Sequence, residues 1–239
     1  MLLASALAAA CIQPLVGNAG AVTILLDYSR SFAPYSRADI AALNETAKAV
    51  VGMVRGGSLQ QPLKLLWVAF GDNGMQPLEP CGPARIFQQR LTGDAGTTVK
   101  SPDAAERITS VAKLEAWFSG CGEAIQATSQ STQQFTDISG AMAFAADTVQ
   151  DVRGDRVIVL FSDLLEDLPP NRKLPAFRLD EVKVLLIWRP GLDDRKQPVA
   201  TPERVEQWRT RIEQAGASRV CAKAAQGLTE GEISSCLWK

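Results

Sequence analysis

Histidine is absent from all 239 residues. Its absence removes the Ser-His-Asp and Cys-His nucleophile systems, the HExxH zinc sites and imidazole acid/base chemistry. Any catalysis would have to run on carboxylates, lysine or a metal. An excess of charge is also missing: 25 basic residues stand against 26 acidic ones, for a net charge of −1. With no basic cluster to neutralise phosphates, the composition argues against a nucleic-acid partner. The five cysteines include no CxxC, so neither a zinc ribbon nor a thioredoxin-type motif is supported. The apolar stretch at the N-terminus is too short to read as a membrane-spanning helix.

What remains is an ordinary supply of core residues, 46% hydrophobic, in a length that suits a single α/β domain. The chain is organised around Ala21 to Ser31, AVTILLDYSRS. Val22 to Leu26 is a continuous apolar run, the pattern of a strand buried on both faces in a parallel sheet. It delivers Asp27, Ser29 and Ser31 at its carboxyl end, where such sheets bind ligands. An aspartate and two serines offer only oxygen and one formal charge. That set suits a small hard cation that keeps some water, Mg²⁺ before Ca²⁺, and suits zinc or copper poorly. Asp and Ser are also common turn formers, so the motif needs partners from elsewhere.

The rest of the chain alternates strands and helices. Ile40, Leu43, Ala47, Val50, Val51 and Val54 mark one face of a helix over Asp39 to Arg55, ended by Gly56-Gly57. Leu63 to Phe70 is a second buried strand, parallel to the first if the crossover is right-handed. Residues 72–109 read as an insertion rich in Gly, Pro and polar residues, with a short antiparallel edge strand over Ala84 to Leu91. Ser110 caps a helix over Val111 to Phe118 that ends at Gly120, and Gly122 to Phe135 is a polar connector. Thr136 or Asp137 caps the next helix, with Ile138, Ala141, Met142, Ala145, Ala146 and Val149 on its buried face. Arg156 to Ser162 is a third buried strand, delivering Asp163, and Val182 to Trp188 is a fourth. Thr201-Pro202 starts a helix that buries Val205, Trp208, Ile212 and Ala215. Ser218 to Lys223 is a last short strand, and residues 224–239 form a tail pinned by Cys236 and Trp238. The expected fold is one doubly wound, mostly parallel α/β sheet flanked by helices, spanning 21–223. Trp67, Trp188 and Trp208 fall in apolar patterns and read as core.

Cys81 and Cys121 lie beside glycines in loops, while Cys221 and Cys236 bracket the tail. The preferred pairing of the three possible joins Cys81 to Cys121 and Cys221 to Cys236; the alternative is reduced thiols in a cytosolic protein. Residues 1–20 resemble a signal peptide, with Ala8-Ala9-Ala10 as the cleavage site, or a lipoprotein leader with Cys11 as the lipidated residue. Both leaders lack their usual positive charge here, and Ala8 stands where lipoboxes have leucine. On this reading the chain is periplasmic or in the cell envelope and meets a membrane only through a lipid anchor. A cytoplasmic location is the alternative.

Three loops thus converge on the carboxyl ends of adjacent strands: Asp27 to Ser31, the Thr136-Asp137 helix start, and Ser162-Asp163. Together they resemble a von Willebrand factor type A domain, matching in order and spacing the metal-ion-dependent adhesion site of that family, over about Ala21 to Lys223. The resemblance implies that Ser29, Ser31 and Thr136 offer hydroxyl oxygens to Mg²⁺, Mn²⁺ or Ca²⁺, while Asp27 and Asp163 act directly or through water. It implies no catalysis, but a protein partner whose carboxylate completes the ion's shell. The partner-selecting rim would be 72–84, 122–135, 164–180 and 189–200. Leu164 stands where many members have glycine. Glu166 and Asp167 read as a solvated loop. The competing expectations are a cytosolic Mg²⁺-dependent phosphohydrolase with Asp27 as nucleophile, for which position 29 should be an acid but is serine, and a metal-free structural module of an envelope or conjugation complex.

Overall fold

A computed structural model describes residues 20–32, 35–57, 59, 63–79, 81–86, 106–108, 110–127, 133–191, 194 and 200–238. Cys11 and the leader before Gly20 lie outside the described residues, as do 87–105 of the insertion and the rim segments 128–132 and 195–199.

Seven strands form one sheet in the order β4-β3-β2-β1-β5-β6-β7. β1 (Gly20–Asp27), β2 (Leu63–Phe70), β5 (Arg156–Ser162), β6 (Val182–Trp188) and β7 (Arg219–Ala224) run parallel. β3 (Ala84–Ile86) is antiparallel to β2, as expected, but it is not the edge: β4 (Glu106–Ile108) pairs outside it, parallel to it.

The two-sided burial read from the apolar runs is met by helices on both faces. Val22, Ile24 and Leu26 of β1 face a core closed by α1 (Arg37–Arg55), α2 (Val111–Ala127) and α5 (Glu230–Trp238). Ala21 and Leu25, one residue out of phase, face a second core closed by α3 (Ile138–Gln150) and α4 (Ala200–Gln214). This alternation follows from the two-residue period of a strand. Trp67 and Trp208 are buried and Trp188 is partly buried, all three in these cores.

Several boundaries differ from the sequence reading. α1 starts at Arg37, two residues early, because Ser36 and Asp39 form a reciprocal capping box. α2 does not stop at Gly120 but runs to Ala127, since Cys121 and Ile125 continue the buried face of Leu114, Trp117 and Phe118. Packing along that stripe outweighs the roughly 1 kcal/mol that each glycine costs a helix interior. α4 begins at Ala200, so Pro202 sits within its first turn, where its missing N–H is not needed. The presumed tail is a helix: α5 lays Ile233, Cys236 and Leu237, each nearly inaccessible to solvent, into the first core.

Both preferred disulfides are present, Cys81–Cys121 and Cys221–Cys236. The first ties the β2–β3 connection to α2; the second ties α5 to β7. No described helix is long and apolar enough to cross a membrane.

If α5 is core rather than appendage, Ile233→Ala should lower the unfolding free energy by about 3 kcal/mol in urea titration. A side chain on a loose tail would cost less than about 0.5 kcal/mol.

Candidate metal centre

In an open α/β sheet, ligands bind where the chain order reverses, because the loops from two neighbouring strands diverge there and leave a crevice. Here the reversal lies between β1 and β5, which pair in parallel register up to Leu26↔Phe161. Asp27 ends the one strand and Asp163 follows the other. Both are completely buried, as are Ser29 and Thr136 at 1% and 2% exposure.

The contacts form one cluster. The Ser29 N–H donates to Asp27 Oδ1 at 2.9 Å, and the Ser29 and Ser31 hydroxyls lie 3.1 Å apart. Ser162 Oγ donates to Asp27 Oδ2 at 2.6 Å and accepts from the Leu164 N–H at 2.9 Å. The Leu165 N–H donates to Asp163 Oδ1 at 3.0 Å, while Asp163 Oδ2 is buried without a hydrogen-bond partner. Gly191 closes on that oxygen so tightly that a Cβ there would stand 2.3 Å from it. Burial raises the Asp163 pKa, and a hydrogen bond from Ser31 offsets part of that rise.

Thr136 arrives on backbone bonds. It forms an antiparallel bridge with Asp167, its N–H donating to the Asp167 carbonyl at 2.7 Å. The Arg30 N–H donates to the Gln133 carbonyl at 2.9 Å, and the Asp137 N–H to the Gly71 carbonyl at 2.9 Å, joining the Thr136 loop to those after β1 and β2. Asp137, not Thr136, caps α3, accepting from the Gly140 N–H at 2.8 Å. Thr136 is therefore spared the capping role that offered an alternative account of it.

Glu166 is not the solvated acid expected. It accepts from the Ser139 N–H at 2.7 Å and pairs with Arg211 at 3.2 Å, while Asp167 is exposed as read. Leu164 takes the left-handed conformation, φ 59°, at the place where many members of the resembled family carry glycine. A leucine there costs about 1 kcal/mol or more. Burial of its side chain and a 3.0 Å hydrogen bond from the Trp208 indole N–H to its carbonyl hold it in place.

Three arginines brace the cluster, and none was singled out in the sequence. Arg172 pairs with the buried Asp137 at 2.8 Å and donates to the Asp72 carbonyl at 3.3 Å. Arg189 pairs with the buried Asp39 at 2.8 Å, stacks over Phe32 at 4.1 Å and donates to the Phe32 carbonyl. Arg204 pairs with Asp194 and donates to the Asp163 carbonyl through Nε and Nη2, at 3.3 and 3.2 Å. Only Asp39 had a local signal, the Ser36-x-x-Asp39 spacing. The arginines meet acids remote in sequence, Asp194 excepted, and nothing in the local pattern shows such pairs.

Burial, and then the charge of Asp163, push the Asp27 carboxyl up to about 7 against the bonds from Ser162 and Ser29. Burial likewise raises Asp163. Both shifts reflect a cost of charging these buried carboxyls, which a divalent cation placed between them would offset. Among the described residues no three Asp, Glu, Cys or His side chains come together to hold a metal. A cation here would lean on hydroxyls and water, which suits Mg²⁺ or Mn²⁺. The cavity between α1 and α2, about 410 Å³ and lined by Leu43, Val51, Trp67 and Phe118, includes none of the five residues.

No family model matches the chain, and no curated protein matches it. Solved structures that resemble it include the conserved hypothetical protein BatB from Bacteroides thetaiotaomicron, with TM-score 0.44, 13% identity, and 90% of this chain and 96% of that one covered. A von Willebrand factor type A protein from Catenulispora acidiphila has TM-score 0.38 and 14% identity over 90% of this chain and 40% of that one. The vWF domain of the type V pili tip protein Mfa5 from Porphyromonas gingivalis has TM-score 0.37 and 15% identity over 69% and 45%.

Two outcomes follow from this geometry. In chelator, the unfolded chain loses the Asp27 proton near pH 4 while the native protein keeps it to about 7, so unfolding releases protons in between. The contribution of Asp27 to stability should therefore fall as pH rises from about 4 to about 7, and urea midpoints of Asp27→Asn should show a shallower decline. Arg189→Ala, which strands the buried Asp39 charge, should cost about 3 kcal/mol in the same titration. An unaltered far-ultraviolet spectrum should show that the secondary-structure content survives this change. The architecture this chain carries in its own strand order, with three loops meeting at the β1/β5 crevice, is similar to the von Willebrand factor type A fold.

Proposed function

We propose that this chain is a von Willebrand factor type A domain that holds a divalent cation at Asp27, Ser29, Ser31, Thr136 and Asp163 and uses it to engage a carboxylate of a protein partner. The observation that carries this reading is the unpartnered Asp163 Oδ2, on a buried carboxylate that interacts with buried Asp27 and with the Ser31 hydroxyl, itself 3.1 Å from that of Ser29. A lone buried carboxylate oxygen costs several kcal/mol unless a proton or a cation meets it. Bound there, Mg²⁺ or Mn²⁺ would supply a positive centre with a position left for an outside oxygen. Ser162 and the Ser29 amide hold the Asp27 carboxylate in place, and the Leu165 amide and Gly191 do the same for Asp163. Because three of the five donors are neutral hydroxyls, the charge of such an ion is incompletely cancelled, which favours an anionic ligand.

Two features support an exported protein. Disulfides persist in oxidising compartments, and two are present. The N-terminal residues resemble a leader, with Cys11 as the candidate for lipidation, which would put the domain in the bacterial envelope. An adhesion or scaffold role, without catalysis, follows from the same reading.

The test is thermal unfolding with Mg²⁺ or Mn²⁺ against chelator. A cation at roughly 100 times its dissociation constant should stabilise the native state by about 2.7 kcal/mol. Asp27→Ala and Thr136→Ala should lose the shift, whereas Asp167→Ala, at an exposed neighbour, should keep it. A wild-type protein that shows no shift at millimolar Mg²⁺ and Mn²⁺ sinks the proposal, and Asp27-dependent turnover of p-nitrophenyl phosphate would replace it with the hydrolase.

A further inference from the structure

Scattered exposed apolar side chains are normal on protein surfaces; several gathered at one place are not. Among the described residues the exposed large hydrophobics are Met75, Leu78, Leu165 and Leu174, at 39%, 55%, 36% and 54%. All four lie on the two connections that leave β2 and β5 at the end of the sheet where Asp27 and Asp163 stand.

Named bonds hold these segments to the candidate centre, to its neighbour Asp137 or to the end of β2. Leu165 is two residues beyond Asp163, and its N–H donates to that carboxylate at 3.0 Å. The left-handed turn at Leu164 sends that side chain into the core and leaves the next one outside. Met75 follows Gly74, whose N–H donates to Asp137 Oδ2 at 2.9 Å, one residue from Thr136. Leu78 is held by a reciprocal backbone bridge to Ala69 of β2, at 2.7 and 2.8 Å. Leu174 is two residues beyond Arg172, which joins the β5–β6 connection to Asp72, Asn73 and Asp137. The two connections are thus stitched to each other, and the four side chains belong to one braced rim.

Other apolar residues of the β5–β6 connection are sequestered. Leu164 and Leu179 are buried, and Phe177 is packed against the second core beneath Arg211. The exposure of Leu165 and Leu174 therefore does not come from want of a core to enter. The rim's exposed charges are mixed, Lys173 beside Leu174 and the acids Glu79 and Asp167 near Leu78 and Leu165, while Glu166 is taken by Arg211 and the Ser139 amide; the attraction for an acidic segment therefore falls to the cation.

We propose that Met75, Leu78, Leu165 and Leu174 form an apolar shelf that selects protein segments in which an acidic residue is flanked, within two positions, by a large apolar one. The acid addresses the cation and the apolar neighbour covers the shelf. This rests on the cation-dependent reading above. Burial of one further leucine-sized contact against the shelf is worth about tenfold in affinity.

The experiment selects phage-displayed random heptapeptides on the full chain, in millimolar Mg²⁺ and in chelator. Expected is Mg²⁺-dependent enrichment of Asp or Glu with Leu, Ile, Phe or Met within two positions. The double variant Leu78→Ser/Leu174→Ser, at the two most exposed members of the shelf and away from the cation's ligands, should bind the selected peptides about tenfold more weakly, while its Mg²⁺-induced thermal shift stays that of wild type, which shows the fold and the centre intact. Acidic sequences without apolar enrichment, or undiminished binding by the double variant, overturn the shelf and leave the cation reading standing. Apolar sequences selected equally in chelator overturn the coupling of shelf to cation. No Mg²⁺-dependent selection of acidic sequences overturns both this proposal and the partner chemistry on which it rests.

Discussion

Two carboxylates end adjacent parallel strands inside the protein, and much of the surrounding structure is an answer to that charge. Asp27 and Asp163 are both inaccessible to solvent, and each raises the cost of ionising the other. Backbone amides and hydroxyls meet most of the demand: Ser29 and Ser162 at Asp27, Leu165 at Asp163. What they leave is one unpartnered oxygen, Asp163 Oδ2, which Gly191 approaches so closely that a side chain at that position would collide with it. A proton or a small cation would relieve what remains, beyond the relief that the Ser29 and Ser31 hydroxyls already give to Asp27 and Asp163.

The loops that carry these groups have little regular structure, so their shape has to be set by specific contacts. Arginine serves this purpose because its planar fork bonds a carboxylate and a carbonyl at once. Arg172 joins the loops after β2 and β5 to the start of α3; Arg189 joins the end of β6 to the loop after β1 and the start of α1; Arg204 joins α4 to the loop after β5. Buried ion pairs of this sort add little net stability compared with apolar packing, but losing one partner is costly, so each makes a single loop arrangement the cheapest. The left-handed Leu164 is part of the same pattern, a local strain held by core burial and by Trp208.

The same bracing explains why apolar groups can remain outside. Met75, Leu78, Leu165 and Leu174 sit on connections whose backbones are committed to the β2 edge, Asp137, Asp163 and Arg172, and so cannot fold inward without breaking those bonds. Rigid presentation lowers the ordering cost that a partner would otherwise meet on binding.

The long apolar runs at Val22–Leu26, Leu63–Phe70, Arg156–Ser162 and Val182–Trp188 and the helical stripes of α1, α3 and α4 were readable because burial on one or two faces imposes a period on the chain itself. The order of the three loop motifs along the chain already implies one rim for Asp27, Ser29, Ser31, Thr136 and Asp163, since parallel strands deliver their carboxyl ends to one side. Where packing competes with local signals the reading failed: Gly120 looked like a stop, yet the stripe to Ile125 carried α2 through it, and Ile233 and Leu237 turned a supposed tail into α5. The amino-acid order thus decided the layers, the strand ends and the donor types, all of which are local or periodic properties. The sheet's outer neighbour β4, the arginine braces, the approach of Gly191 to Asp163 and the gathering of exposed apolar groups at one rim were decided only by the folded molecule, because each depends on which remote segments come into contact, and no spacing along the chain encodes that.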